Sequence, residues 1–235
     1  MTEGLAESAY PFPIALEVHH AKVNVPVWAW RSVGHSHNAF VMETLVDELA
    51  TRAKADPVAY RRKLLKADAR KLRGALDLMD QKSAPWRTTL SAGHAAGIAC
   101  HECFGTAVAC AVNVSIEDGR PRIHRVTVAV DLGLAVNPLG VESQFQAGVA
   151  FGLSQLMAKG AITLKDGRVE QRNFDGYTPP YIVDAPVAVD VHIVPSGEAP
   201  SGSGEPPVPV ISPAVVNALA RLTGKRHRSL PLVTV

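Results

Sequence analysis

Two apolar segments with a short acidic turn between them constrain the fold more than any other feature of this sequence. Residues 95–116 and 122–132 are both rich in Val, Ile and Ala, and Glu117-Asp118-Gly119-Arg120 separates them. An Asp-Gly pair readily adopts the backbone angles of a tight turn between antiparallel strands. The sequence therefore predicts a β-hairpin near the middle of the chain.

Three helices are predicted ahead of this hairpin. Between residues 37 and 55 the apolar side chains recur mostly every three or four positions, which is the spacing of an amphipathic helix. Asp56-Pro57 is an N-cap followed by proline at the first helical position, and it opens a second helix that reaches residue 65. A third helix is expected over 68–82, with its buried side formed by Leu72, Leu76 and Met79.

Helix and strand signals alternate after the hairpin. Asn137-Pro138 is expected to begin a helix, and Lys165-Asp166-Gly167 to close a second hairpin. The apolar alternation over 187–193 predicts a half-buried strand. Ser212-Pro213 is expected to begin the last helix, and Gly224 to end it. Because helices come first and hairpins with interspersed helices follow, the sequence indicates an α+β fold and not a repeating βαβ unit.

The length and the proline pattern suggest how the chain is divided. At about 150 residues per domain, 235 residues form one large domain or two small ones. The first thirty or so residues contain Pro11, Pro13 and Pro26, and they are expected to form an extended arm because proline restricts the backbone. We divide the chain into an arm with a helical segment, 1–90, and an α+β segment, 91–235, within one continuous unit.

The composition excludes several classes of protein. Hydrophobic residues make up 47% and charged residues 20% of the chain, which excludes a disordered, collagen-like or coiled-coil protein. The net charge of +2 is too small for a dedicated nucleic-acid binder, so we expect no nucleic-acid partner. No segment approaches the roughly 20 apolar residues that span a bilayer, and the start of the chain lacks the features of a secretory signal. We therefore expect no membrane span.

A Gly-rich turn with a glutamate is the first candidate for chemistry. Ser201-Gly202-Ser203-Gly204-Glu205-Pro206-Pro207 follows a predicted strand and precedes a predicted helix. Its glycines allow close approach of the backbone to a ligand, and free N–H groups in such a turn can hold anionic oxygens. The prolines after Glu205 restrict the backbone beside its carboxylate, which suits a pre-positioned general base. A solvent-exposed acidic turn and a polyproline ligand for an adaptor domain are alternative interpretations.

The cysteines raise the question of a zinc site. Cys100-His101-Glu102-Cys103 is followed by Cys110, but no second Cys-x-x-Cys pair is present. If residues 100–103 form a strand, side chains three apart point to opposite faces and are poorly placed to share a metal ion. Three thiolates also fall short of the four that an iron–sulfur cluster usually needs. We expect ordinary buried thiols, and a zinc site is the alternative.

The segment 28–38, which leads into the first predicted helix, has two interpretations of equal weight. It contains two tryptophans, Arg31 and two histidines. Arg31 could bind a phosphate or carboxylate, with help from the partial positive charge of the helix N-terminus. Alternatively, the segment is a helix entry that Ser36 or Asn38 caps, with both histidines solvated.

Two polar features of the second half are weaker candidates. Gln144 and Gln146 lie in an otherwise apolar helix, where a glutamine amide could offer a donor and an acceptor to a heterocycle. The small residues of that helix would let another element come close; they are Ala147, Gly148 and Gly152. Surface glutamine is the more common outcome. The basic cluster at 225–228 indicates a solvated face, not a nucleic-acid site.

In their order along the chain, these segments resemble the C-terminal part of the large, molybdopterin-binding subunits of the molybdenum hydroxylases, the xanthine dehydrogenase and aldehyde oxidoreductase family. The resemblance extends from about Tyr10 to Leu232 and is nearest to the group that contains the beta subunit of isoquinoline 1-oxidoreductase. Its most specific motif is Gly-x-Gly-Glu-Pro-Pro at 202–207, after the helix with Gln144. Other matching segments are Trp30-Arg31-Ser32-Val33-Gly34-His35-Ser36-His37-Asn38, Ala129-Val130-Asp131-Leu132-Gly133, Asn173-Phe174-Asp175-Gly176-Tyr177 and Gly224-Lys225-Arg226.

The resemblance implies hydroxylation of an electron-poor carbon, in an N-heterocycle or an aldehyde, with oxygen taken from water. Glu205 matches the family's catalytic glutamate, a general base. The implied cofactor is molybdopterin with molybdenum, expected in its cytosine dinucleotide form and shared with a partner chain, and no residue of this chain is expected to ligate the metal. Trp30 and Val33 match the substrate pocket. The residues at cofactor-binding positions are Arg31, Gly34, Gln144, Gly202, Ser203 and Gly204.

The resemblance also implies partners, because the family's large subunit is several times longer than this chain. We expect the remaining molybdopterin-binding polypeptide, an iron–sulfur subunit, a cytochrome or flavin subunit, and a small-molecule substrate. The resemblance implies that the chain is a separately encoded subunit, a truncated product or a decayed gene, and alone it is expected to bind no molybdenum cofactor tightly. The alternative function is a non-catalytic interaction subunit that keeps the fold. The expected compartment is the cytoplasm, or the periplasm if a partner exports the chain.

Overall fold

The computed structural model describes residues 2–22, 24, 26, 28–157 and 160–232. Within these ranges the chain forms six strands: β1 (Ala95–Cys103), β2 (Thr106–Glu117), β3 (Arg120–Asp131), β4 (Leu164–Lys165), β5 (Arg168–Val169) and β6 (Ala188–Ile193). Four of them form the central sheet in the spatial order β1-β2-β3-β6. β2 is antiparallel to β1 and β3, whereas β6 is parallel to β3. β4 and β5 pair separately.

Both predicted hairpins are present. Asp118 and Gly119 connect β2 to β3 with φ angles of 49° and 68°, which an Asp-Gly turn adopts readily. Residues 165–167 lie at the connection between β4 and β5. The first apolar segment, however, is not one strand, because a turn at Phe104-Gly105 divides it into β1 and β2. The φ angles of Phe104 and Gly105 are 53° and 76°, and one glycine within an apolar segment is a weak signal for such a turn.

Five α-helices lie in the described ranges: α1 (Gly34–Arg52), α2 (Pro57–Leu64), α3 (Arg70–Arg87), α4 (Pro138–Gly152) and α5 (Val208–Thr223). The predicted start of α2 is confirmed, because the Asp56 carboxylate accepts hydrogen bonds from the N–H groups of Val58 and Ala59. The start of α4 is confirmed as well, since Asn137 accepts one from Gly140 N–H. None of these helices is both long and apolar enough to cross a membrane.

The last helix differs from the prediction at its start. α5 begins at Val208, ahead of the expected Ser212-Pro213, and Pro213 lies inside it. The first turn of α5 is fully buried, so packing against the core, and not the Ser-Pro signal, determines where the helix begins. Its end is as predicted, because Gly224 adopts the left-handed conformation with a φ angle of 72°.

The central sheet is buried on both faces, because its strands alternate between two kinds of apolar side chain. One face consists mainly of valines from β2 and β3 and packs against α4 and α5. The other face consists mainly of alanines and packs against α3. The inward side chains of α3 are Leu72, Leu76 and Met79, as predicted. Alanines opposite these large side chains give the close packing that a protein interior requires.

The buried face of α1 is only partly the one that the sequence predicts. The helix begins three residues earlier than expected; of its predicted apolar side chains, Phe40 and Val46 are buried, but Val41 and Leu45 are exposed. Glu43 and Asp47 are fully buried instead. Apolar periodicity could not identify this face, because the buried carboxylates are neutralised by arginines that lie elsewhere in the sequence.

Glu43 and Arg61 form a buried ion pair on which four elements converge. Arg61 Nε of α2 donates to Glu43 Oε2 at 2.8 Å, and the Cys100 N–H of β1 donates to the same oxygen at 2.8 Å. The Arg61 guanidinium and the Asn217 amide of α5 also donate to the carbonyl oxygens of Glu43 and Ile98. This cluster fixes α1, α2 and α5 against the edge strand β1.

The basic cluster at 225–228 is only partly the solvated face that was predicted, because Arg226 is half-buried against α1, whereas Arg228 is exposed. Arg226 Nη1 donates to the buried Asp47 carboxylate at 2.8 Å. Arg228 pairs with Glu48 one residue further along α1. These contacts fasten the segment after α5 to the same helix that contains Glu43.

The predicted N-terminal arm is only partly extended. Residues 3–7 form a turn, and Tyr10 is buried, with its hydroxyl donating to Glu43 Oε1 at 2.6 Å. Residues 11–22 have no regular secondary structure and are mostly exposed, as an arm would be. The predicted arm also includes residues 1, 23, 25 and 27, which lie outside the described residues.

Replacing Arg61 with Met removes the buried positive charge and keeps most of the side-chain volume. Because Glu43 would stay in the core without its ion pair, we expect Arg61→Met to lower the free energy of unfolding by about 3–5 kcal/mol. The neighbouring Arg62, which pairs with Asp77 and Asp80, is the matched control, and Arg62→Met should cost less than about 1 kcal/mol. Urea denaturation measures both, and equal losses would contradict the role given to Arg61.

Candidate functional site

The Gly-rich turn crosses one end of the central sheet. β1 and β3 end there, β2 begins there, and β6, parallel to β3, ends on the same side. The Ser201 N–H donates to the Leu132 carbonyl oxygen at 2.8 Å, and Thr106 Oγ1 donates to the Gly202 carbonyl oxygen at 2.6 Å. The strand ends therefore position the turn.

Glu205 is held by Ser32, which lies just before α1. The Ser32 N–H donates to Glu205 Oε1 at 3.0 Å, and the Ser32 hydroxyl donates to the Glu205 carbonyl oxygen at 2.7 Å. Ser32 is buried and Glu205 is half-buried. Within the described residues, Oε2 of Glu205 accepts no hydrogen bond. One carboxylate oxygen is thus anchored and the other is available to a reacting proton, as a general base requires.

The backbone that approaches Glu205 is strained. Ser32 and Val33 have φ angles of 76° and 43°, in a region that residues other than glycine rarely adopt. Such conformations cost about 1–3 kcal/mol each and concentrate at functional sites. At this position they turn the Ser32 N–H toward the carboxylate before α1 begins at Gly34, which is buried.

The alternative interpretation of this segment, as a capped helix entry, is wrong in its main points. No side chain caps α1. Ser36 Oγ donates to the Arg31 carbonyl oxygen at 2.7 Å, and Asn38 Nδ2 donates to the Glu3 carbonyl oxygen at 2.9 Å. Of the two histidines expected to be solvated, His37 is exposed and His35 is buried.

The structure brings three of the predicted cofactor-binding residues together. Arg31 Nε donates to the Gly204 carbonyl oxygen at 2.7 Å, and its terminal nitrogen reaches Gln144 Oε1 at 3.5 Å. The Arg31 guanidinium lies over the Phe151 ring, 5.5 Å from its centroid. Trp30 stacks on the same ring, with a centroid separation of 4.7 Å. Residues 30–31, α4 and the Gly-rich turn therefore form one surface.

Close approach of α4 to the turn depends on glycine. A Cβ at Gly148 would lie 2.3 Å from Pro207 Cγ, and one at Gly152 would lie 3.1 Å from the Val208 carbonyl oxygen. The prediction that small residues let another element approach is confirmed at these two positions. Ala147 is exposed, and Gln146 is a surface residue that donates to Glu142.

Two helix N-termini lie beside Glu205. α1 begins at Gly34, two residues after Ser32, and α5 begins at Val208, three residues after Glu205 itself. Helix N-termini present partial positive charge and favour anionic groups. Together with Arg31, they make this end of the sheet attractive to an anion.

A buried histidine pair lies close to Glu205. His35 Nδ1 and His101 Nε2 are 2.9 Å apart and share a hydrogen bond. Burial, with a smaller contribution from His35, lowers the pKa of His101 from 6.5 to about 3. Burial also lowers the pKa of His35, against the influence of nearby carboxylates that include Glu205.

Burial and, to a smaller extent, the Glu205 carboxylate raise the pKa of Cys103 to about 12. Cys103 is therefore a thiol at neutral pH.

The three cysteines do not converge on a common point. Cys100 packs with α3 on one side of the sheet, and Cys110 packs with α5 on the other. All three are buried free thiols, as expected. Among the residues that the structure describes, no group of three or more His, Cys, Asp or Glu side chains could hold a metal ion. The arrangement gives no support to the zinc alternative.

A cavity of about 410 Å³ lies beside Trp30. Its walls include His37, Phe40, Val41 and Tyr177, and the predicted pocket residue Val33 does not line it. Trp30 thus contacts both the cavity and the Phe151 ring, on which it stacks.

Sequence reasoning missed three residues that shape the site. Ser32 lay within a matching segment, but only the fold shows that it holds Glu205. Thr106 sits at the first position of β2, where nothing in the sequence links it to Gly202. Phe151 lay in a predicted apolar helix, and only its exposed ring face would have distinguished it from a core residue.

Comparisons with known proteins identify the family of the chain. Residues 33–186 match the molybdopterin cofactor-binding domain. The chain is 30% identical over 226 residues to the membrane-bound aldehyde dehydrogenase (pyrroloquinoline-quinone) of Gluconacetobacter polyoxogenes, across 88% of this chain and 29% of that protein. It is 29% identical over 230 residues to isoquinoline 1-oxidoreductase subunit beta of Brevundimonas diminuta, across 95% of this chain and 29% of that protein.

The fold is also that of a solved oxidoreductase. Quinoline 2-oxidoreductase from Pseudomonas putida 86 superposes with a TM-score of 0.75 at 12% identity, over 88% of this chain and 52% of that one. The α+β prediction is confirmed. The chain belongs to the molybdopterin cofactor-binding domain family, and the predicted resemblance to molybdenum hydroxylase large subunits is confirmed as well. It spans less than a third of the length of the two curated relatives.

Two glycine substitutions test whether α4 packs closely against the Gly-rich turn. Gly148→Ala would place a methyl group against Pro207, and we expect a loss of about 1–3 kcal/mol in the free energy of unfolding, although alanine is the better helix former. At Gly202 a Cβ would meet no atom within 4 Å, so Gly202→Ala should change it by less than about 0.5 kcal/mol. Denaturant unfolding tests the pair, and a tolerated Gly148→Ala would contradict the packing described.

The buried histidine pair makes stability depend on pH. His101 takes up a proton near pH 6.5 in the unfolded chain but only near pH 3 in the folded chain. The contribution of His101 to the free energy of unfolding is therefore complete above pH 6.5 and is lost as the pH falls toward 3. Between pH 7 and pH 5 the free energy of unfolding should fall by about 2 kcal/mol from this group. His101→Gln should reduce this fall, whereas His37→Gln, at an exposed position, should leave it unchanged. Identical pH profiles for all three proteins would contradict the assignment.

Proposed function

We propose that this chain supplies the general base and part of the cofactor-binding surface of a molybdenum hydroxylase that oxidises an N-heterocycle or an aldehyde with oxygen from water. The observation that supports this most is the arrangement of the Glu205 carboxylate. Its Oε1 accepts a hydrogen bond from the Ser32 N–H, and its Oε2 is available to accept a proton. The names of the two relatives, an aldehyde dehydrogenase and an isoquinoline oxidoreductase subunit, support the two substrate classes.

The residues around Glu205 fit an anionic pterin cofactor. The N-termini of α1 and α5 and the Arg31 guanidinium favour negative charge. Gly202 faces open space, so its backbone is accessible to a ligand. The exposed amide of Gln144 offers a donor and an acceptor to a heterocyclic ring. The residues that would hold the cofactor are Arg31, Gly34, Gln144, Gly202, Ser203 and Gly204.

Glu205 would act as the proton acceptor of the reaction. Hydroxylation of a C–H bond with water consumes one water molecule and releases two electrons and two protons. Molybdenum, when the cofactor is bound, supplies the two-electron oxidising capacity and activates the water. Glu205 Oε2 would accept one of the protons, while the Ser32 N–H holds Oε1 and the prolines at 206–207 limit the movement of the backbone.

The cavity beside Trp30 is a candidate for the substrate pocket. Its volume of about 410 Å³ is within the usual range for small-molecule sites, and its walls combine aromatic side chains with His37. Trp30, the predicted pocket residue, lines this cavity and would contact the substrate. Val33 would act on pocket shape only through the strained turn that it shares with Ser32.

The proposal includes the wider assembly. We propose that the cofactor is the cytosine dinucleotide form, held between this chain and the remaining molybdopterin-binding polypeptide. An iron–sulfur subunit would receive the electrons and pass them to a cytochrome or flavin subunit. The assembly would work in the cytoplasm, or in the periplasm if a partner exports it. Alone, the chain is expected to bind no molybdenum cofactor tightly.

Glu205→Gln tests the proposal in the assembled enzyme. The Gln side chain keeps an oxygen that can accept the Ser32 N–H hydrogen bond but cannot take a proton at neutral pH, so assembly and molybdenum content should be unchanged. Turnover of an N-heterocycle such as isoquinoline, or of an aldehyde, should fall at least about 100-fold, the lower end of the contribution of a general base.

Glu198→Gln is the matched control, because Glu198 lies on the same segment and its exposed carboxylate pairs with Lys71. It should leave turnover within about twofold of the unmodified enzyme. If Glu205→Gln retains the same turnover as Glu198→Gln, the general-base role is wrong. An assembly without turnover in the unmodified protein would favour the non-catalytic interaction subunit.

A further inference from the structure

The Arg31 side chain is held from several directions, although it is only half-buried. Its Nε and its terminal nitrogen Nη2 both donate to the Gly204 carbonyl oxygen, and Nη2 also reaches Gln144 Oε1. A Cβ at Gly148 would lie 3.6 Å from the same terminal nitrogen, so the guanidinium runs alongside α4. The guanidinium therefore lies between α4 and the Gly-rich turn.

The side of α4 that receives Arg31 is one helical stripe. Gln144, Gly148 and Phe151 are four and three positions apart, which places them on the same side of the helix. Gly148 leaves room for the guanidinium, and the ring of Phe151 covers it, with 5.5 Å between the ring centroid and Cζ of Arg31. A guanidinium within about 6 Å of an aromatic face is attracted to it. The ring therefore favours the observed position of the Arg31 side chain.

Phe151 is itself held by the residue before Arg31. The Trp30 ring stacks on it with a centroid separation of 4.7 Å and an angle of 28° between the ring planes. Aromatic pairs at this separation attract each other beyond the effect of burial. Because Phe151 is 38% exposed, these two contacts and not the core determine what its ring does.

Arg31 and Ser32 together hold two adjacent residues of the Gly-rich turn. Arg31 donates to the Gly204 carbonyl oxygen, while Ser32 donates to Oε1 and to the carbonyl oxygen of Glu205. Because the peptide bond is planar, the Gly204 carbonyl group and the Glu205 N–H move as one unit. Release of the Gly204 oxygen would let the backbone before Glu205 rotate, whereas the prolines at 206–207 restrict the backbone after it.

We propose that Phe151 is a positioning residue for the reaction of Glu205. Its ring keeps the Arg31 guanidinium on the Gly204 carbonyl oxygen, and that contact keeps the Glu205 carboxylate where the Ser32 N–H meets it. Phe151 acts through Arg31 and takes no part in proton transfer. The inference rests on the proposed function, in which Glu205 is the proton acceptor.

Hydrogen exchange at the Arg31 guanidinium tests the first step in the full chain without cofactor. With isotope-labelled arginine, each Nε–H group gives its own NMR signal, and Arg31→Lys identifies the one from Arg31. Phe151→Leu should raise the exchange rate of this N–H with solvent at least about threefold, because a cation–π contact near the surface has roughly this effect on an equilibrium. Phe151→Tyr keeps an aromatic ring and should leave the rate unchanged.

Arg62 supplies the internal control for this measurement. Its Nε donates to Asp77 of α3, which packs on the opposite face of the sheet from α4. The Arg62 signal should exchange at the same rate in all variants. An unchanged Arg31 signal in Phe151→Leu would overturn the inference. An equal rise at Arg62 would overturn it as well, because it would show a general loosening of the fold and not the loss of one contact.

Turnover of the assembled enzyme tests whether the contact acts on Glu205. Phe151→Leu should lower kcat at least about fivefold at unchanged molybdenum content, because small displacements of a catalytic group slow a reaction strongly. Phe151→Tyr should stay within about twofold of the unmodified enzyme. In the Arg31→Lys background, Phe151→Leu should change kcat less than about twofold, since the two residues act through one contact. An unchanged kcat in Phe151→Leu, or an equal loss in both backgrounds, would contradict the positioning role.

The two measurements separate this inference from the proposed function. If the Arg31 signal responds to Phe151→Leu as expected but the unmodified complex shows no turnover, the proposed function is wrong and the contact that holds Arg31 stands. If the unmodified complex turns over substrate and neither the exchange rate nor kcat responds to Phe151→Leu, the inference is wrong and the proposed function stands.

Discussion

The buried ion pair between Glu43 and Arg61 is the contact on which the rest of the structure depends. It fixes α1 against β1, and the Asn217 amide links the same carbonyl oxygens to α5. The two helices whose N-termini flank Glu205 are therefore held by one cluster in the core. A buried ion pair adds little net stability compared with apolar packing, but removing one of its charges leaves the other buried and unpaired, which is strongly destabilising. In this protein its hydrogen bonds link α1 and α5 to the edge strand β1.

The same arrangement brings together the parts of the candidate site, which are distant in the sequence. Once α1 is in place, the strained turn at Ser32 and Val33 directs an N–H group at Glu205. Once the strands end together, Thr106 and the Leu132 carbonyl hold the turn that contains Gly202. The proposed chemistry depends on one carboxylate oxygen of Glu205 and on the anion-attracting helix ends beside it.

Local signals predicted most elements of the fold. The Asp-Gly hairpin, the Asp56 cap and the Gly224 helix end are all fixed by backbone preferences of a few adjacent residues, so the sequence sufficed for them. The start of α5 was predicted wrongly, and so were the buried carboxylates of α1, because burial and distant arginines decide them. The family resemblance indicated Glu205, Gln144 and Arg31. No pattern could indicate Ser32 or Thr106, whose partners are distant in the sequence.

The central claim is that this chain presents Glu205 to a molybdenum centre that a second polypeptide helps to hold. Crystals of the assembled enzyme, measured at the molybdenum absorption edge, would locate the metal directly. We predict an anomalous peak on the open side of the Glu205 carboxylate, with Gln144 and residues 202–204 beside the cofactor density. A molybdenum peak remote from this turn, with the Glu205 carboxylate in bulk solvent, would contradict the claim.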